Sequence, residues 1–501
     1  MARRSFPDRI AVVVAEPSLE RFLNRLARLE RRAHLLELRL DALGSMSEIL
    51  RLLERIARCR PRVPWIATCR PRSQGGAFGA GPSAQLAVLA LAVRAGCSWI
   101  DVEAETLERF PRRLRSAVLP PAPRILSHHD FGCTPPLELL YRRLARLGAD
   151  WVKIAVTPRE QGDNVRLLAM TRRHRRRVIS VGMGTVGLPG RVLAPAAGSV
   201  LTYAAPEQGC VTAPAQPAVN ELKQIYSVHR LNRSTRVYGL LGNPVAHSLS
   251  PAMHNAAFRH ARMNAVYLPF EAATPRELLD CLEPLRIAGL SVTNPHKEAI
   301  LRHLDGIDPL AETIGAVNTV VVRGGGKLFG YNTDYVGVLR TLQRHVPLEG
   351  ARVLLVGAGG AARACGFALA TAGAFISVTS RRLAAARQLA RAVGGEAVPR
   401  KTVRKRRFEA IINCTPVGQA PDVDASPLRA EELNCRVVFD LVYNPLETKF
   451  LRLARRRGLQ TVPGWQMLVE QGAAQFEIWT GLRAPLAVMR RAVLRGLKQD
   501  D

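Results

Sequence analysis

Two lysines in this chain sit where an amine can do chemistry. Lys153 lies inside the apolar run Trp151-Val152-Lys153-Ile154-Ala155-Val156. An amine pointed from such a strand into a core is partly desolvated, and can shed its proton and attack a ketone to form a Schiff base. The plain alternative is a lysine that snorkels from a strand end. His129, in Ser127-His128-His129-Asp130-Phe131, can move protons near neutral pH, and Glu103 can hold its tautomer and orientation. A structural histidine is the competing reading. Lys297 and Asp334 form a second pair. A lysine held beside a carboxylate can deliver a proton to a carbonyl oxygen as hydride reaches the carbon. Without a nucleotide-binding unit downstream, it would be an ordinary salt bridge.

Such a unit is written at residues 352–366, RVLLVGAGGAARACG. Residues 353–356 form a short apolar run suited to a buried parallel strand, and an alanine-rich helical segment follows. Between them stand Gly357, Ala358, Gly359, Gly360 and Ala361. Gly357 can turn without a Cβ penalty, Gly359 can let backbone approach a pyrophosphate, and the helix N-terminus offers free N–H groups to that anion. A glycine-rich turn alone is weak, so the next strand, residues 374–379, decides. Where an NAD-binding unit carries an acidic residue for the ribose hydroxyls, this chain has Ser380, Arg381 and Arg382. Guanidinium there suits a 2′-phosphate, and the cofactor reads as NADP(H).

The elements that must position these groups repeat. From Arg9 onward, seven short apolar runs alternate with helical segments: IAVVVAE, LLELRLD, PWIATCR, SWIDVEA, RILSHHD, DWVKIAV and RVISVGM. About eight strand and helix units close a parallel (β/α)8 barrel, whose chemistry sits at the C-terminal ends of its strands. Glu37, Arg39, Arg70, Glu103, His129 and Lys153 fall at those ends.

At 501 residues, two or three domains are expected. Seventy-two Lys and Arg against forty-one Asp and Glu give +31. That surplus invites nucleic acid as a partner, but only residues 401–407 make a dense basic run, and aromatics are too scarce to interleave as stacking platforms. Small-molecule substrates are the expected partners. Nine cysteines without a C-x-x-C pair argue against a zinc site and a disulfide framework, and no metal is expected. No apolar stretch reaches a membrane span, and residues 1–8 lack the core of a secretory signal. The expected compartment is the cytoplasm.

Residues 9–222 resemble type I 3-dehydroquinate dehydratase. The matching motifs are Glu37-Leu38-Arg39, Thr68-Cys69-Arg70, Asp101-Val102-Glu103, His128-His129-Asp130-Phe131, Lys153-Ile154-Ala155, Arg191 and Thr212-Ala213-Pro214-Ala215-Gln216. The resemblance implies that Lys153 forms an imine with the substrate ketone, that His129 shuttles protons in the loss of water, and that Glu103 orients it. It implies that Arg191 pairs with the substrate carboxylate, and that Glu37, Arg39, Arg70, Thr212 and Gln216 line the pocket. Three departures mark the lid: Gln74 stands where the family usually has Glu, Thr212 where it has Ser, and Ala215 where it has Gly. Activity with altered substrate affinity is expected.

Pro, Ala and Gly crowd residues 193–217, a short helical stretch follows, and residues 229–235 read as a linker. Residues 236–494 resemble shikimate dehydrogenase. The motifs are Ser248-Leu249-Ser250-Pro251, Thr293-Asn294-Pro295-His296-Lys297, Asn318-Thr319, Asn332-Thr333-Asp334, the GAGGAAR turn and Gln471-Gly472-Ala473. Read alone, Ser248 and Ser250 suit a polyhydroxy ligand or a routine helix cap. The resemblance implies that Ser248, Ser250, Thr293, Asn318, Asp334 and Gln471 hold a hydroxy acid and that Lys297 and Asp334 are the catalytic dyad. It also puts Tyr443 near the substrate, and Asn413, Thr415 and Gly464 beside the cofactor.

The expected layout is a barrel over 1–228, a substrate-binding α/β domain over 236–341 completed by 465–494, and a Rossmann domain over 342–463. Dehydration of 3-dehydroquinate gives 3-dehydroshikimate, which the second family reduces to shikimate, so the two resemblances together imply a bifunctional enzyme. The rival readings are a quinate or shikimate dehydrogenase preferring NAD, and a quinate-responsive regulator.

Overall fold

The computed structural model describes residues 6–59, 61–112, 118–210 and 212–500. Each of the seven apolar runs forms a strand: β1 (Ile10–Val14), β2 (Leu36–Arg39), β3 (Trp65–Thr68), β4 (Trp99–Glu103), β5 (Arg124–Asp130), β6 (Trp151–Val156) and β7 (Val178–Gly182). A three-residue β8 (Thr202–Ala204) completes an eight-stranded parallel sheet in the order β7-β6-β5-β4-β3-β2-β1-β8. The ends of that order meet where Val200 N–H donates to Val178 C=O at 3.1 Å, so the sheet is a nearly closed barrel. Helices cover it with apolar faces at helical spacing. Helix Leu19–Leu29 buries Phe22, Leu26 and Leu29, and helix Met46–Ala57 starts on Ser45, whose hydroxyl accepts from Glu48 N–H. Fully burying such a side chain contributes about 1.5–3 kcal/mol.

Register explains why the barrel interior is both core and site. In parallel strands, residues in register face the same way and alternate residues share a face. Val13 pairs Glu37, which pairs Ile66; Thr68 pairs Asp101; Glu103 pairs Ser127, which pairs Lys153. Ala11, Leu35, Ile66, Trp99, Ile125, Ile179 and Tyr203 belong to one buried apolar cluster, and the polar side chains follow it on the same inner face, toward the strand ends.

The chain clusters into two compact units, Met1–Thr235 with Leu268–Arg286, and Arg236–Tyr267 with Ile287–Asp501. A six-stranded mixed sheet has the order β10-β9-β11-β13-β14-β12, from β9 (Arg236–Gly242), β10 (Ala265–Glu271), β11 (Ile287–Val292), β12 (Gly306–Ile307), β13 (Thr319–Val322) and β14 (Leu328–Tyr331). Helices Ser250–His260, Trp465–Thr480 and Leu486–Asp500 accompany it. Their buried side chains, among them Met253, Phe258, Phe476, Met489 and Val493, share one core with Tyr238 and Leu240 of β9.

A second six-stranded sheet is all parallel, in the order β17-β16-β15-β18-β19-β20. It is built from β15 (Arg352–Val356), β16 (Phe375–Thr379), β17 (Glu396–Ala397), β18 (Phe408–Asn413), β19 (Cys435–Asp440) and β20 (Gln460–Val462). Order reverses on either side of β15, the crevice where doubly wound sheets bind their ligands. All nine cysteines are free thiols. Among the described residues, no helix is long and apolar enough to cross a membrane.

Candidate functional site

Inside the barrel, charge is packed at a density that only mutual pairing can sustain. Arg70, 2% exposed, donates from Nη1 to Asp101 Oδ1 at 3.1 Å, Glu103 Oε1 at 2.5 Å and Ser127 Oγ at 2.9 Å. Lys153 Nζ lies 2.9 Å from Asp101 Oδ2 and 3.6 Å from Glu37 Oε1. Glu37 in turn accepts from Thr68 Oγ1 at 2.8 Å. Two cations thus face three carboxylates. Burial alone would push Asp101 up, but Arg70 and Lys153 outweigh it and hold the carboxyl well below its usual range. Burial, and then the neighbouring Asp101 charge, push Glu103 up to about 7 despite Arg70.

Glu37, Arg70 and Lys153 of this network line a cavity together with His129, Arg39, Arg191, Thr212, Gln216, Gln74, Phe131 and Tyr203. Burial, with Arg70 and Lys153 nearby, holds the His129 imidazole well below its usual value. A neutral imidazole can act as a base. Its neighbour His128 turns the other way along the strand and pairs with Glu105 at 2.6 Å. Arg191 is carried on helix Leu188–Ala197, which runs into the stretch read as Pro-, Ala- and Gly-rich. Its Nε donates to Gly182 C=O at 2.9 Å, while its buried Nη1 has no hydrogen-bond partner. Burial pushes this guanidinium down to about 10. A buried, uncommitted cation in a cavity suits an anion such as a carboxylate.

One expected contact is absent. Glu103 does not orient His129: its oxygens accept from Arg70 and from Gln85 Nε2 at 2.5 Å, and His129 Nδ1 has no hydrogen-bond partner. Glu103 does not line the cavity either. Its place in the charge network is to anchor Arg70. Asp101 is the residue the motifs pointed past: it follows the same alternation as Glu103, and a buried carboxylate two residues before another was its signal. The altered lid positions have local roles. Gln74 Oε1 accepts from His129 N–H at 2.8 Å. Ala215 adopts φ +49°, where glycine carries no Cβ penalty. Gln216 Oε1 accepts from Thr212 N–H at 2.9 Å and Oγ1 at 3.0 Å, pinning that loop.

In the second unit, Lys297 Nζ lies 2.6 Å from Asp334 Oδ2. Lys297 follows β11, and Asp334 opens helix Asp334–Leu342. The other Asp334 oxygen accepts from Asn318 Nδ2 at 2.8 Å, and Asn318 Oδ1 accepts from Thr319 Oγ1 at 2.8 Å and Thr333 N–H at 2.7 Å. Gln471, on helix Trp465–Thr480, approaches Thr333 Oγ1 at 3.5 Å. Thr293 and Ser248 are half-buried and Ser250 is buried. Ser248 Oγ accepts from Ser250 N–H at 3.2 Å, just ahead of helix Ser250–His260. Gly242 allows the loops to close: a Cβ there would fall 2.4 Å from Thr293 Cγ2. Tyr443 is half-buried, packs on the core shared by β9 and the C-terminal helices, and has its phenol pushed up by burial.

Beyond β15, Gly357 turns at φ +117°, and a Cβ there would meet Thr415 Cγ2 at 2.9 Å. Gly359 and Gly360 face open space, with nothing within 4 Å of where a Cβ would stand. They begin helix Gly360–Thr371, with Ala358 half-buried and Ala361 exposed beside them. This cradle fits a pyrophosphate. Arg381 and Arg382 are exposed at the end of β16, and Ser380 Oγ donates to Arg382 C=O at 2.7 Å. Asn413 is fully buried. Its amide donates to Asp440 Oδ1 at 2.9 Å and its Oδ1 accepts from Thr415 N–H and Oγ1, so it holds the loop that carries Thr415. At Gly464, a Cβ would fall 2.6 Å from the carbonyls of Leu441 and Val442, so close backbone packing requires the glycine.

Residues 10–233 match the family model for type I 3-dehydroquinase, residues 240–320 that for the shikimate dehydrogenase substrate-binding domain, and residues 464–494 that for the shikimate 5'-dehydrogenase C-terminal domain. The chain is 34% identical over 96% of its length to the chloroplastic bifunctional 3-dehydroquinate dehydratase/shikimate dehydrogenase of Arabidopsis thaliana, and spans 83% of that protein. Its second half is 45% identical to the NADP(+) shikimate dehydrogenase of Moorella thermoacetica, covering 53% of this chain and 94% of that one. Among solved structures, a shikimate dehydrogenase in complex with NADP+ superposes with a TM-score of 0.51 at 38% identity, over 53% of this chain and 97% of that one. A chorismate mutase/shikimate 5-dehydrogenase fusion protein from Clostridium acetobutylicum gives 0.50 at 32% identity, over 53% of this chain and 98% of that one.

Proposed function

The chain belongs to the family of bifunctional 3-dehydroquinate dehydratase/shikimate dehydrogenases, and on that premise we propose that Lys153 and Lys297 serve two consecutive reactions. In the first, the Lys153 nitrogen attacks the ketone carbon of 3-dehydroquinate and the carbonyl oxygen departs as water, leaving an iminium. The iminium acidifies the adjacent C–H. His129, neutral in its buried setting, takes that proton and hands it to the hydroxyl on the next carbon, which departs as water. Hydrolysis frees Lys153 and 3-dehydroshikimate. Arg191 holds the substrate carboxylate with its uncommitted Nη1, while Asp101 and Glu37 hold the amine before attack.

In the second unit, Lys297 donates a proton to the ketone oxygen of 3-dehydroshikimate, and Asp334, steadied by Asn318, holds the amine in place. NADPH, when bound, supplies the hydride. Gly357, Gly359 and Gly360 receive its pyrophosphate and Arg381 with Arg382 its 2′-phosphate, while Thr415 shapes the turn. Ser248, Ser250, Thr293, Tyr443 and Gln471 orient the hydroxy acid. Free thiols and small anionic substrates fit a reducing cytoplasm.

One observation carries the reading: an amine and an unpaired buried guanidinium line the same cavity, in a chain that also holds a lysine–carboxylate pair and a glycine cradle. Purified protein given 3-dehydroquinate and NADPH is expected to release shikimate, and borohydride is expected to fix substrate on the peptide containing Lys153. Lys153→Ala should lose the adduct and the dehydration while still reducing 3-dehydroshikimate. Lys297→Ala should slow that reduction by about 10²- to 10⁴-fold. Dehydration without any adduct in the wild type would overturn the imine.

A further inference from the structure

The Lys153 ammonium has three neighbours, and one of them is not an ion. Besides Asp101 at 2.9 Å and Glu37 at 3.6 Å, Nζ stands 3.8 Å from the centroid of the Tyr203 ring. Tyr203 lies on β8, in register with Ala11, and is 4% exposed. Its ring is packed in the apolar cluster that includes Val13, Ala155, Ile179 and Val181, so it has little freedom to swing away. Its hydroxyl is buried without a hydrogen-bond partner, and burial, with Glu37 and Asp101 nearby, keeps the phenol protonated. An orphaned hydroxyl does not explain an aromatic at this place. The ring face does.

We propose that Tyr203 is a positioning residue for the imine-forming lysine, its ring face carrying the positive nitrogen of Lys153 through the dehydratase reaction. A carboxylate holds an ammonium through a particular N–H, and that contact must loosen when the nitrogen becomes an iminium with fewer protons. An aromatic face attracts positive charge without claiming a proton. Its share of the stabilisation therefore grows as the ammonium becomes an iminium and the contacts to Asp101 and Glu37 loosen, a difference between ground and transition state that kcat reads. The proposal rests on the imine reading of Lys153.

The test varies the ring's charge distribution at constant size. Tyr203→Phe serves as reference, and phenylalanines carrying one, two and three ring fluorines are placed at position 203 of the full chain. Fluorination drains the negative ring face. The dehydratase kcat is expected to fall stepwise, by about 2- to 30-fold across the series, while KM for 3-dehydroquinate and the thermal midpoint change little. Should Tyr203→Phe not fold, fluorotyrosines at the same position give the same comparison. A flat kcat across the series, with borohydride adducts still forming on Lys153, would overturn the role of the ring and leave the imine standing. Absence of adducts in the wild type would instead remove the imine itself.

Discussion

At the residue scale, the dehydratase site was legible where a side chain of unusual type interrupts an apolar strand. Lys153 announces itself in this way, His129 and Arg70 stand at strand ends, and the structure brings all three to one cavity. What sequence could not assign was the partner of each charge. Glu103 reads as the orienting carboxylate of His129 because both fall at strand ends, but Arg70 and Gln85 reach it instead. Asn413 is expected beside the cofactor because it ends an apolar strand, and the structure adds that its amide engages Asp440 and Thr415. The buried Glu103 has a measurable consequence. Burial pushes its carboxyl up toward about 7 in the folded chain, against about 4.3 unfolded. Between those values the folded state binds the extra proton, so this group's contribution is fully present below about pH 4.3 and is lost as pH rises through the raised folded value. Glu103→Gln should remove that slope: its thermal midpoint relative to wild type should rise between pH 5 and pH 8. A difference that stays constant with pH would show that Glu103 is already ionised at pH 5.

At the scale of elements, periodicity found the strands and missed their closure. Seven runs of apolar residues announced β1 to β7, whereas β8 contributes only Thr-Tyr-Ala within a stretch rich in Pro, Ala and Gly, too short for any period to show. The helix bearing Arg191 ends in the same stretch, with Pro195 inside it. Loops, too, carry geometry that composition conceals. Gly76 follows Gln74 in the segment over the cavity, and a Cβ at that position would fall 2.0 Å from the carbonyl oxygen of Arg70. That contact is backbone and cannot rotate away. Gly76→Ala must displace the end of β3 and with it the guanidinium that holds Asp101 and Glu103. A stability loss of about 1–3 kcal/mol is expected, along with a fall in dehydratase kcat. Reduction of 3-dehydroshikimate by the same preparation provides the internal control, and equal losses in both activities would mean that the effect is not local to the barrel.

At the scale of the whole molecule, the two units divide the chemistry as cleanly as the cores. Every group assigned to dehydration lies between Glu37 and Gln216, and every group assigned to reduction lies in the unit formed by Arg236–Tyr267 and Ile287–Asp501. Each assigned set falls within one unit, so each site should work when the other is disabled. The surplus of +31 suits a protein whose substrates and cofactor are all anions, since a positive field raises their local concentration at low salt. Tethering adds effective concentration only if the intermediate is captured before it diffuses away. Lys153→Ala and Lys297→Ala, mixed as separate polypeptides, decide between these situations. Independent sites predict that the mixture converts 3-dehydroquinate to shikimate after a lag in which free 3-dehydroshikimate accumulates, reaching the same endpoint as wild type. Wild type should show a similar lag at equal site concentration. A wild-type lag much shorter than that of the mixture would mean that covalent linkage itself hastens transfer, and a mixture that never makes shikimate would mean that the sites depend on each other.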